Sequence, residues 1–124
     1  MPTDKDSLEK FDESVIAKVF RRKQDNKLEK PSPRQAEWRA LVLQFSKEMP
    51  AMHHMLVEEK KLSPLELNVC ILILLGFDDA SIGNLTGSIP QTITKAKARA
   101  NMKLFGVKGA HGLKRGLFLA SKDL

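Results

Sequence analysis

Between Ala80 and Lys122 the chain carries eight basic side chains and no acidic one: Lys95, Lys97, Arg99, Lys103, Lys108, Lys114, Arg115 and Lys122. Residues 1–79 hold 13 basic and 14 acidic side chains, so the net charge of +6 arises in the carboxyl-terminal third. A one-sided positive field concentrates polyanions, nucleic acid foremost and an anionic membrane surface second. A solvated face that keeps the protein in solution is the plain alternative.

Four of these residues, Lys95, Lys97, Arg99 and Lys103, fall where helical spacing gives them a common purpose. The stripe Ile93, Ala96, Ala100 and Leu104 recurs at intervals of three and four and belongs inside. Fixing it inward turns Gln91, Thr94, Lys95, Ala98 and Met102 outward, with Thr92 and Arg99 on one shoulder and Asn101 on the other. Glutamine suits adenine, lysine suits guanine, and threonine offers a donor, an acceptor or a methyl group. Gln91, Thr94, Lys95 and Ala98 are therefore the candidate base contacts. Ser88, Thr92, Lys97, Arg99 and Lys103 are the candidate phosphate contacts, which fix position and carry no sequence information.

Other chemistry is thinly supplied. His53 and His54 are adjacent and so point to different sides of a helix, His111 lies far downstream, and Cys70 belongs in a core, so no metal site is expected. A single cysteine excludes an internal disulfide. Cys70 reads as a small packed hydrophobe, Met49, Met52 and Met55 as core filling, and Trp38 as a core anchor. Gly106, Gly109, Gly112 and Gly116 precede no Gly-Lys-Ser/Thr and make no phosphate loop. No nucleophile stands with a base and a carboxylate in a supporting context, and no catalytic residue or cofactor is expected. The 124 residues fit one domain or a small domain with a tail. The longest apolar run, Val69 to Leu75, is far short of the roughly 20 residues that cross a bilayer. A soluble, cytoplasmic protein without membrane contact is expected.

The elements that position the basic helix follow from caps and breakers. A first amphipathic helix is predicted from about Ser7 to Lys23 through Leu8, Phe11, Val15, Ile16, Val19 and Phe20; its apolar stripe needs a partner, either the body or a coiled-coil seam. Arg21 to Arg34 is charged and ends in Pro31 and Pro33, the composition of a linker. Ser32-Pro33-Arg34-Gln35 has the form of a capping box for a helix through Trp38, Leu41, Val42 and Phe45, which should stop near Met49 because of Pro50. A further short helix is predicted from Ala51 to Lys61.

Ser63-Pro64-Leu65-Glu66 is the fullest capping box, with Leu62 and Leu67 as its apolar staple. The helix it starts is apolar nearly all round, ends at Gly76, and should be the buried centre. Asp78 or Asp79 can cap a short helix holding Ile82 and Leu85. Thr86-Gly87-Ser88 turns the chain, with Ser88 and Gln91 at capping-box spacing, and a longer helix follows from about Pro90 to Phe105. Gly106, Gly109 and Gly112 punctuate a loop before a last helix through Leu113, Leu117 and Phe118. No strand pattern survives, so the expected fold is all-α. It comprises an amino-terminal helix and charged linker over residues 1–30, a helical support over 31–61, and a tetrahelical helix-turn-helix domain over 62–124.

The pattern Leu62-Ser63-Pro64-x-Glu66-x-x-Val69-Cys70-x-Leu72-x-x-x-Gly76-Phe77, then Ile82-x-x-Leu85, then Ile93-Thr94-x-Ala96-Lys97-x-Arg99-x-x-x-Lys103-Leu104, resembles the effector domain of LuxR-type and sigma-region-4-type transcription regulators. It is similar above all to output domains of bacterial sensor-fused regulators, whose upstream pattern resembles Phe11-x-x-Ser14-x-Ile16, Trp38 and the Phe45 region. The resemblance covers roughly Phe11 to Phe118. It implies double-stranded DNA as partner, a homodimer supported by the last helix, and an upstream sensor or RNA polymerase as a further partner. Two positions depart from the family pattern: Ile89 stands where a serine cap is usual, and Lys97 replaces the first of two arginines and lacks the bidentate fork; the sensor, receiver or membrane segment that precedes the effector in such regulators is not expected within these residues. The expectation is an output domain of a longer regulator, or a stand-alone regulator whose input comes from a partner. The alternative is a helix-turn-helix scaffold serving as a protein adaptor without DNA binding, motivated by the Leu8–Phe20 stripe.

Overall fold

The computed structural model describes residues 4–25 and 32–123. Among them are eight α-helices, one π-helical turn and no strand, so the protein is all-α. Of the linker expected between Arg21 and Arg34, Arg21 to Asp25 are instead helical, because the amino-terminal apolar stripe extends its helix through them, and residues 26–31 lie outside the described residues.

The amino-terminal stripe forms two helices where one was predicted: α1 (Asp4–Asp12) and α2 (Val15–Asp25). Ser14 makes the break. Its hydroxyl donates to the Phe11 carbonyl at 2.6 Å and accepts from the Ala17 amide at 3.3 Å, so one side chain closes α1 and caps α2. The bend lets Phe11, Ala17 and Phe20 all reach the core, where they are fully buried. Arg21 then fastens the hairpin, donating to the Asp12 carboxylate and, at 2.8 Å, to the Asp12 carbonyl.

Helix α3 (Gln35–Glu48) begins two residues later than the Ser32 box requires. The Glu37 carboxylate accepts the Arg34 amide at 2.9 Å, and a charged acceptor out-competes the neutral amide of Gln35 for the capping role. Phe45 of α3 meets Phe11 at 5.4 Å between ring centroids, and Trp38 meets Phe20 edge-on at 4.9 Å. The hairpin α1–α2 is thereby held on the body. As expected, α3 stops ahead of Pro50; α4 (Pro50–His54) and a π-helical turn (Met55–Glu59) fill the stretch where a short helix was predicted.

Helix α5 (Pro64–Leu74) is the centre, with Val69 to Leu74 buried all round. Its predicted cap is present in full: the Glu66 amide donates to Ser63 Oγ at 3.2 Å and the Ser63 amide donates to Glu66 Oε1 at 3.0 Å. Gly76 at φ +90° ends it, with the Phe77 amide reaching back to the Leu72 carbonyl at 3.1 Å. Around α5 pack α3, α6 (Asp79–Thr86), α7 (Pro90–Phe105) and α8 (Leu113–Asp123), while α1 lies against α3 and α8, and α2 against α3 and α6. Buried side chains from all three predicted segments form a single cluster.

Candidate nucleic-acid interface

Helix α6 rests on the core through Ile82 and Leu85, and α7 through Ile93, Ala96, Ala100 and Leu104, all buried as the spacing predicts. The connection between them is tight. The Gly87 and Ser88 amides both return to the Gly83 carbonyl, the latter at 2.9 Å, and Gly87 takes φ +68°. A Cβ on Gly83 would stand 3.0 Å from the Ser88 carbonyl oxygen, so the close approach of turn and helix requires glycine there.

The start of α7 differs from the predicted box. The Ser88 amide closes α6 and α7 begins one residue later than the Ser88 box requires, which leaves Ile89, extended at φ −73° and ψ 158°, as the N-cap with no side-chain acceptor. Ile89 is 62% exposed beside this uncapped end. The α6 cap itself is Asp78, whose carboxylate accepts the Ser81 amide at 2.8 Å; that bond, chiefly, holds the Asp78 carboxyl below its ordinary range.

Of the candidate base contacts, Gln91, Thr94 and Lys95 are exposed and Ala98 is half-buried. Thr94 donates its hydroxyl proton to the Pro90 carbonyl at 3.1 Å, which leaves it a methyl group and acceptor lone pairs. Among the described residues Lys95 makes no ion pair.

The candidate phosphate contacts divide. Ser88 and Thr92 are half-buried. Lys97 is held by both carboxylate oxygens of Asp79, at 3.0 and 3.1 Å, and its side chain is only 18% exposed. Arg99 sets its Nε 3.2 Å from Glu66 Oε2 yet remains 58% exposed. Lys103 donates to Glu66 Oε1 at 2.6 Å. Burial pushes the Glu66 carboxyl upward, but hydrogen bonds from Lys103 and Ser63 and the Lys103 charge outweigh it and leave it below its ordinary range.

One shoulder of α7 is not where spacing put it. Asn101 is buried, donating through Nδ2 to the Gly109 carbonyl at 2.9 Å and the His111 carbonyl at 3.0 Å. The loop after α7 folds over it, and the amide satisfies carbonyls that this glycine-rich turn would otherwise leave unpaired.

Residues missed from sequence are Asp79 and Glu66, the partners of the α7 cations. A signal existed for Glu66. Arg99 and Lys103 are one helical turn apart and can share one carboxylate, and a lone acid in an apolar helix is the natural candidate. Cys70 is buried, its thiol pushed up to about 12 by burial and the Glu66 charge, which fits packing rather than reactivity. His53 lies 6.1 Å from the Phe45 ring, and no group of three metal-ligating side chains comes together among the described residues. No helix among them is long and apolar enough to cross a membrane. No protein-family model, curated protein or solved structure matches the chain.

Proposed function

We propose that the chain is a sequence-specific DNA-binding regulator of LuxR-like type, with α6 and α7 as a helix-turn-helix and α7 as the helix that enters the major groove. The observation that carries this reading is the two-sidedness of α7. Its apolar stripe is buried while Gln91, Thr94, Lys95 and Arg99 stand exposed on an element without an acidic residue. Lys95 would address guanine, Gln91 adenine, and the methyl groups of Thr94 and Ala98 a thymine. The Nη atoms of Arg99, with Ser88, Thr92 and the open start of α7, would take phosphate. Lys97 and Lys103, already matched by carboxylates, add less than their formal charge. The reading further proposes a cytoplasmic homodimer on half-sites about 34 Å apart, with a sensor or RNA polymerase as the source of input.

The test is selection of bound duplexes from a random pool at two salt concentrations. A selected motif with binding that weakens steeply with salt is expected, with Arg99→Ala lowering affinity on every sequence and Lys95→Ala blurring the motif. Absence of binding to any duplex at low salt, or salt-insensitive binding, overturns the reading.

A second reading has its own observation. Val15 and Leu43, 77% and 56% exposed, line one groove between α2 and α3 together with Ile16 and Val19. An adaptor would use such a face for a protein partner. Val15→Asp combined with Leu43→Asp abolishes partner capture under this reading and leaves duplex binding intact under the first.

A further inference from the structure

Among the described residues Glu66 is the only charged side chain that is buried. Capping α5 takes one oxygen of it, because Oε1 receives the Ser63 amide, and a neutral glutamine oxygen would do as much. The full charge and the second oxygen are surplus to that task, and both are spent on α7. Oε1 also receives Lys103 Nζ, which lies 3.5 Å from the Lys61 carbonyl as well, and Oε2 faces Arg99 Nε. The two Nη atoms of Arg99 have no partner among the described residues.

Sequence-independent affinity for a duplex grows with the number of phosphates neutralised, each contributing about 0.9 to the slope of log affinity against log salt. A lysine whose charge a buried carboxylate already balances has little left to displace counterions. Base contacts through Gln91, Thr94 and Lys95 involve no such balance. Resting on the DNA-binding reading, we infer that Glu66 limits the sequence-independent, salt-dependent part of duplex binding. It withholds Lys103 from the phosphates and pins Arg99 by Nε, so that the guanidinium offers only its outer nitrogens. Glu66 is a positioning residue: it acts through Arg99 and Lys103 and need not touch DNA.

The experiment uses the full chain and two labelled duplexes, the selected motif and a scrambled one, with dissociation constants measured from 50 to 200 mM salt. Glu66→Gln retains an acceptor for the Ser63 amide. Its slope steepens by about 0.9 on both duplexes, and its binding at 0.1 M salt tightens roughly five- to tenfold on each. Lys103→Met, which keeps Arg99 as the partner of Glu66, leaves the slope where it was. A Glu66→Gln protein with an unchanged slope on both duplexes overturns the inference, since Glu66 would then be a cap alone. A Lys103→Met protein whose slope flattens by about 0.9 overturns it even if Glu66→Gln fails to fold. Wild-type protein that binds neither duplex instead removes the DNA-binding reading, and this inference with it.

Discussion

Helices α5 and α7 begin on nearly the same backbone, an extended residue at φ −66° and −73° respectively followed by proline, and they finish that start in opposite ways. Ser63 and Glu66 satisfy the first amides of α5, and the helix is then wrapped in apolar side chains. The start of α7 has Ile89 in the serine's place, no side-chain acceptor and one flank in solvent. Orphan amides carry a positive partial charge that water or an anion must meet. The contrast separates a helix finished from within from one that leaves its first turn open to an outside partner.

The sharpest way to break the contrast is to hollow the closed helix. Ile71→Ala, at a fully buried position, should cost about 2–5 kcal/mol in urea unfolding. A cost below 1 kcal/mol would mean that α5 is not the centre of the fold.

Acid should come next. Glu66, Glu37 and Asp78 all titrate below their ordinary values; the Arg34 amide is the chief cause for Glu37, and the Ser81 amide for Asp78. A carboxyl whose folded pKa is depressed stabilises the fold above its unfolded value, near 4.5 for Glu, and loses that contribution as pH falls through the folded value. Stability measured by denaturant should therefore drop from just above pH 4.5 downward, and Glu66→Gln should make the drop shallower. No carboxylate caps α7, so its first turn contributes nothing to the loss.

Smaller effects test the caps directly. Ser63→Ala should cost about 1 kcal/mol, and Ile89→Ser should gain up to about 1 kcal/mol by supplying the missing acceptor at a position that buries little. Equal and opposite changes would make the two starts alternative states of one motif. If Ile89→Ser destabilises instead, Ile89 is held by packing and the contrast fails.

Where structure is set by neighbours in sequence, it was legible. The Ser63-x-x-Glu66 box and the stop at Gly76 follow from short-range cap chemistry, the span from Pro90 to Phe105 from the proline and glycine at its ends, and the buried stripe of α7 from helical period alone. Competition between acceptors hid two boundaries: Ser14 split a stripe that period alone made continuous, and Glu37 displaced Gln35. Distance in sequence hid the rest. Glu66 and Lys103 are 37 residues apart, Asp79 and Lys97 are 18 apart, and only the packing of α7 on α5 and α6 brings them together. Asn101 was misplaced because period predicts a direction and not what later folds over it.

The first helix of the chain lies on the last, with Phe11, Leu113 and Leu117 all sunk in one cluster. Helices α1 and α8 therefore hold each other in place. Unzipping α1 strips the lid from α8, and slow amide exchange in the closing helix becomes a gauge of whether the opening one is seated.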